Sequence, residues 1–184
     1  MPQSPLTFST VVNSPSHEDL LMRLRLALLA SVVLIGADLS AQTRVVVLPF
    51  RNMSHDIKYN AWNYQFADSL RAALLETDPA QKEFAIVPAD SVELALADLN
   101  LDPNNPQYES DMWKAVRNLG AQKAVQGNFQ LRGERVLINC YIYDMGSMMA
   151  DGTNQAKDIY KSPTTFLEAI RPIVKRIRPG LTAP

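Results

Sequence analysis

Arg44-Val45-Val46-Val47-Leu48-Pro49-Phe50 is the stretch that decides the fold. An unbroken β-branched apolar run of this length is the signature of a strand buried on both faces, not of a half-exposed one. A polar loop, Arg51 to Tyr59, follows it. Asn60 is then placed to cap a helix from about Ala61 to Glu76, with Trp62, Phe66, Leu70, Ala73 and Leu74 along one face.

Further along, Phe84-Ala-Ile-Val-Pro88 reads as a second short strand, and Asp90 with Glu93 resembles a capping box for a helix running through Leu99. Asp102-Pro-Asn-Asn-Pro-Gln107 is a turn-rich connector. Met112, Trp113, Val116 and Leu119 line a third helix that Gly120 is placed to end. Val125, Gly127, Phe129 and Leu131 alternate with Gln126, Asn128 and Gln130, which predicts a half-exposed strand. Arg132-Gly-Glu134 turns the chain into Val136, Ile138, Cys140 and Ile142, an antiparallel hairpin. A third strand is expected near Gln155 to Tyr160, after the Gly146–Gly152 loop. Ser162 with Pro163 predicts the start of the last helix, with Phe166, Ile170, Ile173, Val174 and Ile177 inward. Pro172 is expected to kink that helix. Lys175, Arg176 and Arg178 are expected at its end, where cations suit the dipole. The order β-α-β-α-α-β-β-β-α places the fold in the α/β (α+β) class, a mixed β-sheet with helices packed against it.

Upstream, Arg23 and Arg25 precede an apolar run from Leu26 to Ala37, and Leu39-Ser40-Ala41 offers a small residue for cleavage before Gln42. About a dozen apolar residues fall short of the ~20 that a spanning helix needs. The expectation is therefore a signal peptide over residues 22–41, cut after Ala41, with a retained anchor as the alternative. No cysteine follows the run, which disfavours a bacterial lipid anchor. Residues 1–21 are mostly polar and read as an over-long start or a disordered extension. Residues 42–184 form the single domain. An exported, periplasmic protein with no stable membrane span after cleavage is the localisation this implies.

Composition narrows the chemistry. The chain has 184 residues, 18 basic and 19 acidic. Setting aside Arg23, Arg25, Glu18, Asp19 and Asp38 leaves sixteen of each sign, so no basic excess points to nucleic acid. The one cysteine, Cys140, sits in an apolar alternating run and reads as a small buried hydrophobe. Seven glycines are scattered singly, with no phosphate-cradling loop and no Gly-x-Ser-x-Gly elbow.

Four segments occur together in order: Val46-Val47-Leu48-Pro49-Phe50-Arg51-Asn52-Met53-Ser54, Phe66-Ala67-Asp68-Ser69-Leu70, Leu119-Gly120-Ala121 leading to Val125-Gln126-Gly127, and Arg135-Val136-Leu137-Ile138 through Tyr143-Asp144. With these segments the mature chain resembles the amino-terminal domain of TolB and its relatives. The resemblance spans roughly residues 43–180. It implies an envelope protein that works through contacts with other proteins, not an enzyme, with no cofactor. TolB carries a β-propeller after this domain, and the sequence here stops at Pro184, so no propeller-dependent role is carried over.

Two regions are candidate contact sites. The loop Arg51, Asn52, Ser54, His55, Asp56 and Tyr59 lies past the carboxyl end of the first strand, where open α/β sheets place ligands. Ser54, His55 and Asp56 are consecutive, and a triad is defined by spatial geometry that three loop neighbours seldom meet. The loop therefore reads as a polar turn, or as a contact for a partner, a small molecule or a cell-wall fragment. The second region is Tyr141 and Tyr143, sharing a strand face with Leu137 and Asn139, together with Met145, Met148 and Met149 at the hairpin end. That face is either covered by a helix or open to a partner, and the hairpin-end strand is a candidate sheet edge. Asp98, Asn100, Asp102 and Glu109 fall at calcium-loop spacing, but Pro103 stands where that loop needs glycine.

Overall fold

The computed structural model describes residues 42–182; the expected extension (1–21) and signal peptide (22–41) lie outside them. Seven strands form one mixed sheet. They are β1 (Thr43–Val47), β2 (Arg51–Asn52), β3 (Phe84–Ile86), β4 (Lys123–Arg132), β5 (Arg135–Asp144), β6 (Met149–Ala150) and β7 (Ala156–Lys161). Four α-helices among the described residues accompany them: α1 (Trp62–Thr77), α2 (Ala89–Ala97), α3 (Tyr108–Asn118) and α4 (Ile170–Thr182). Two single 3-10 turns cover Ile57–Tyr59 and Phe166–Ala169. The sheet order is β3-β1-β4-β5-β6, with β2 beside β4 and β7 beside β5. β1 runs parallel to β3 and β4, while β4, β5 and β7 form the antiparallel meander. The α+β arrangement expected from the sequence is the one observed.

β1 is buried on both faces because the sheet separates two cores. Val45 and Val47 join Phe66, Leu70 and Leu74 of α1, Ile138 and Ile142 of β5, and Ile173, Ile177 and Leu181 of α4. Val46 and Leu48 point the other way, into Val92 and Leu96 of α2 and Tyr108, Met112 and Val116 of α3. Pro49 cannot donate to a ladder, and pairing lapses there before resuming at Arg51↔Asn128. Between Val47↔Val125 and Arg51↔Asn128, the three residues linking β1 to β2 therefore oppose two of β4. That offset carries the chain into the 51–60 loop. At the hairpin, Gly133 alone takes a positive φ, +61°, as the first residue of a two-residue turn.

Several local expectations are corrected. Asn60 does not cap α1: its backbone is helical, and its side-chain oxygen accepts from Asn52 Nδ2 at 2.9 Å. Asp90 and Glu93 form no capping box, because α2 already starts at Ala89 behind Pro88; it ends at Ala97, short of Leu99. β4 is not half-exposed over its first half, since Lys123–Gly127 is covered on both faces and Gln126 lies against Met112. Ser162 and Pro163 do not begin the last helix. The Ser162 hydroxyl is held by Thr164 and Thr165, and α4 starts only at Ile170. Pro172 thus falls in the first turn, where its missing N–H costs nothing, and the interior proline is Pro179. Lys175, Arg176 and Arg178 are consequently mid-helix. Arg178 pairs with Glu83 at 2.8 Å, and Arg176 donates to the Lys157 carbonyl at 2.9 Å.

Candidate functional site

The loop after β1 is built from side chains turned onto its own backbone. Asn52 is buried; its Nδ2 donates to the Asp56 carbonyl and to Asn60 Oδ1, and its Oδ1 accepts the Ser54 N–H. Ser54 Oγ accepts the Leu131 N–H at 2.7 Å, which ties the loop to the end of β4. Asp56 Oδ1 accepts the Lys58 N–H at 3.0 Å and so caps the turn at Ile57. His55 holds a left-handed backbone, φ 57°, and is exposed. The carboxylate and hydroxyl of the Ser54-His55-Asp56 run are thus engaged with backbone, not with each other. Arg51 is drawn to Glu109 on α3 at 2.7 Å. Tyr59 packs on Trp62 with ring centres 4.6 Å apart, below the Lys58 ammonium.

The second region divides along β5. Tyr143 is half-buried against Trp113 of α3, ring centres 4.9 Å apart, and Met145 packs beside it in the α2–α3 core. Beyond Tyr143 the same face turns polar and half-exposed: Tyr141, Asn139 and Leu137 on β5, Asn128 and Gln130 on β4, and Tyr160 on β7. This shelf is ordered by its own contacts. Asn139 Nδ2 donates to Asn128 Oδ1 at 3.1 Å and its Oδ1 accepts the Asp158 N–H at 3.0 Å. Lys157 stands over Tyr141, and Arg135 over Tyr160. Burial first, then the Asp158 carboxylate, hold the Tyr141 phenol above its ordinary pKa, so it stays a neutral hydrogen-bonding group. Met148 and Met149 project at the hairpin end, Met149 68% exposed.

β5 is not an edge strand, because β6 and β7 pair along its outer side. Of the edge strands, β3 and β7 are each met by a side chain: Gln81 Oε1 accepts the Ile86 N–H, and Arg176 donates to the Lys157 carbonyl. Cys140 is wholly buried, and burial pushes its thiol far up. Among the described residues no cluster of three metal-ligating side chains forms, and Glu109 of the calcium-like spacing is the partner of Arg51. No helix of the described residues is long and apolar enough to cross a membrane.

The chain shares its fold with a neisserial lipoprotein. Lipoprotein GNA1162 from Neisseria meningitidis superposes with a TM-score of 0.51 at 16% identity, over 74% of this chain and 96% of that one. The LpoB C-terminal domain from Escherichia coli aligns at 17% identity and a TM-score of 0.49, over 73% and 93% of the two chains. The LpoB C-terminal domain from Salmonella enterica aligns at 17% identity and 0.46, over the same shares. At these identities the likeness is one of fold. No family model and no curated protein sequence matches the chain.

Period-two alternation puts Tyr141 and Tyr143 on one face, and only the reach of Trp113 separates them. Asn128 and Tyr160 join that face through pairing with β5, and the alternation of Ile159 with Tyr160 is the local signal for the second.

Proposed function

We propose that this protein is an exported, non-enzymatic protein-interaction module of a bacterial cell-envelope complex, related to the TolB amino-terminal domain. The observation that carries the reading is the half-exposed shelf of Tyr141, Leu137, Tyr160, Asn128 and Asn139. Its aromatic and amide groups lie on rigid strands, which holds them ready to contact a partner at low entropic cost. Engagement of Asn52, Ser54 and Asp56 with the loop's own backbone favours this reading over a small-molecule or cell-wall-fragment binder at Arg51–Tyr59. The shared fold with a lipoprotein supports an envelope setting. The leader of residues 22–41, cut after Ala41, supplies export, and residues 42–184 are the working domain. The partner is another envelope protein; neither nucleic acid nor cofactor is involved.

Intact-mass analysis of native protein from separated periplasmic, membrane and cytoplasmic fractions tests the export part. The expected species starts at Gln42 and is found in the soluble periplasm. An uncut chain in the membrane makes residues 22–41 an anchor, and an uncut cytoplasmic chain overturns the envelope reading.

A further inference from the structure

The hairpin that carries the shelf ends on two cations set face to face. Arg132 of β4 pairs directly with Arg135 of β5, the last rung before the Gly133-Glu134 turn. Residues paired across antiparallel strands share one face, and like charges so placed repel. That face is the shelf's, because the Arg135 guanidinium lies 4.8 Å from the Tyr160 ring centre. Both arginines are exposed, and among the described residues neither is in an ion pair.

A third cation stands at the other end of the shelf. Lys157 Nζ is 5.6 Å from the Tyr141 ring centre, and Lys157 too is in no ion pair among the described residues. Arg135 and Tyr141 are both on β5, six steps apart along it, so about 20 Å separates the two ends. The carboxylates nearby are Glu134 in the turn and Asp158 beside Lys157; both are exposed, and neither bridges one of the three cations. Between the ends lie the amides of Asn128 and Gln130 and the phenols of Tyr141 and Tyr160. Asn128 keeps its Nδ2 donors, because only its Oδ1 is engaged, by Asn139.

We infer that the partner lays an extended acidic segment along this shelf, one carboxylate between Arg132 and Arg135 and a second at Lys157. A carboxylate placed between two guanidiniums accepts charge-assisted N–H bonds from both and turns their mutual repulsion into a shared attraction. An extended chain covers about 20 Å in about six residues, which sets the spacing of the two acidic residues. The amides of Asn128 and Gln130 then meet the backbone between them. This inference rests on the protein-contact reading of the shelf and adds the chemistry of what is contacted.

Titration of the nitrogen-15-labelled protein, purified from its producing cell, with decaglutamate at low salt tests it by NMR. Saturable shifts are expected at the amides of Arg132, Arg135, Leu137, Asn139 and Tyr141. The Arg132→Gln, Arg135→Gln double variant is expected to bind about fivefold more weakly or worse. Both side chains are exposed, so it is expected to melt with the wild type. No saturable shift on β4 and β5, or equal binding by the variant, overturns the inference. A photoreactive residue at position 141 in the producing cell separates the two readings. Its adduct is expected to fade in the double variant. An undiminished adduct overturns the acidic segment and leaves the protein-contact reading in place. No adduct in the wild type overturns that reading, and this inference with it.

Discussion

The Phe50 ring occupies the space in which residue 127 would otherwise carry a side chain. A Cβ built on Gly127 would overlap the Phe50 ring, which is stacked on Phe66 with centres 4.9 Å apart. The close approach follows from the extra residue at Leu48-Pro49-Phe50, which delivers an aromatic side chain onto the adjacent strand. That in turn positions Arg51 and Asn52 at the root of the loop.

Gly127→Ala is therefore expected to destabilise the domain by about 1–3 kcal/mol, a fall of roughly 3–12 °C in the melting midpoint. Adding Phe50→Leu to Gly127→Ala is expected to cost less than the sum of the two single changes, because the smaller side chain relieves the overlap. Thermal unfolding followed by circular dichroism measures both. Strict additivity would mean that the two residues do not share that space.

Acid stability should be set by three capped loops. Asp78 accepts the Lys82 and Glu83 N–H groups, Asp144 accepts Ser147 N–H and Oγ–H, and Asp151 accepts the Thr153 and Asn154 N–H groups. In each case backbone N–H donors are the leading cause that lowers the carboxyl below its ordinary 3.8. A pKa lower in the folded than in the unfolded chain adds stability above the unfolded value and loses it as pH falls through the folded one. The melting midpoint is expected to be flat from pH 7 to about 5 and to drop below about 4. Asp151→Asn should flatten part of that limb. An unchanged slope in that variant would remove Asp151 from the account.

Cys140 reports on opening of the central meander. It is wholly buried on β5, with burial raising its thiol well above the ordinary range, so the thiolate that reacts with alkylating reagents is scarce in the native state. Alkylation at pH 8 is expected to proceed only through opening and to accelerate by orders of magnitude in denaturant. Labelling of native protein at the rate of a free thiol would contradict the burial of that strand face.

The sequence disclosed the parts of this fold that follow a period. Val45 to Leu48 announced burial on both sides, and the alternation through Val136, Ile138, Cys140 and Ile142 announced the face toward α1 and α4. Helix ends were less legible. Ser162-Pro163 carries a helix-start signal, yet a hydroxyl network spends it on a turn, and α4 begins eight residues later. β2 and β6 are two residues each, too short to leave a period. The candidate shelf was half legible for a similar reason. Alternation places Tyr141 and Tyr143 together, but where α3 stops covering them is set by Trp113, a contact of thirty residues' separation that no local pattern encodes.

Site-specific photo-cross-linking in the producing cell reads whether the Tyr141 shelf is a protein-contact surface. A photoreactive residue in place of Tyr141 is compared with one in place of Lys175, exposed on α4 away from the shelf. A discrete adduct with one envelope protein is expected from position 141, lost when Tyr160 and Leu137 are changed to alanine in a chain that still melts cooperatively, and absent from position 175. No adduct from position 141, or the same adducts from both positions, would contradict it.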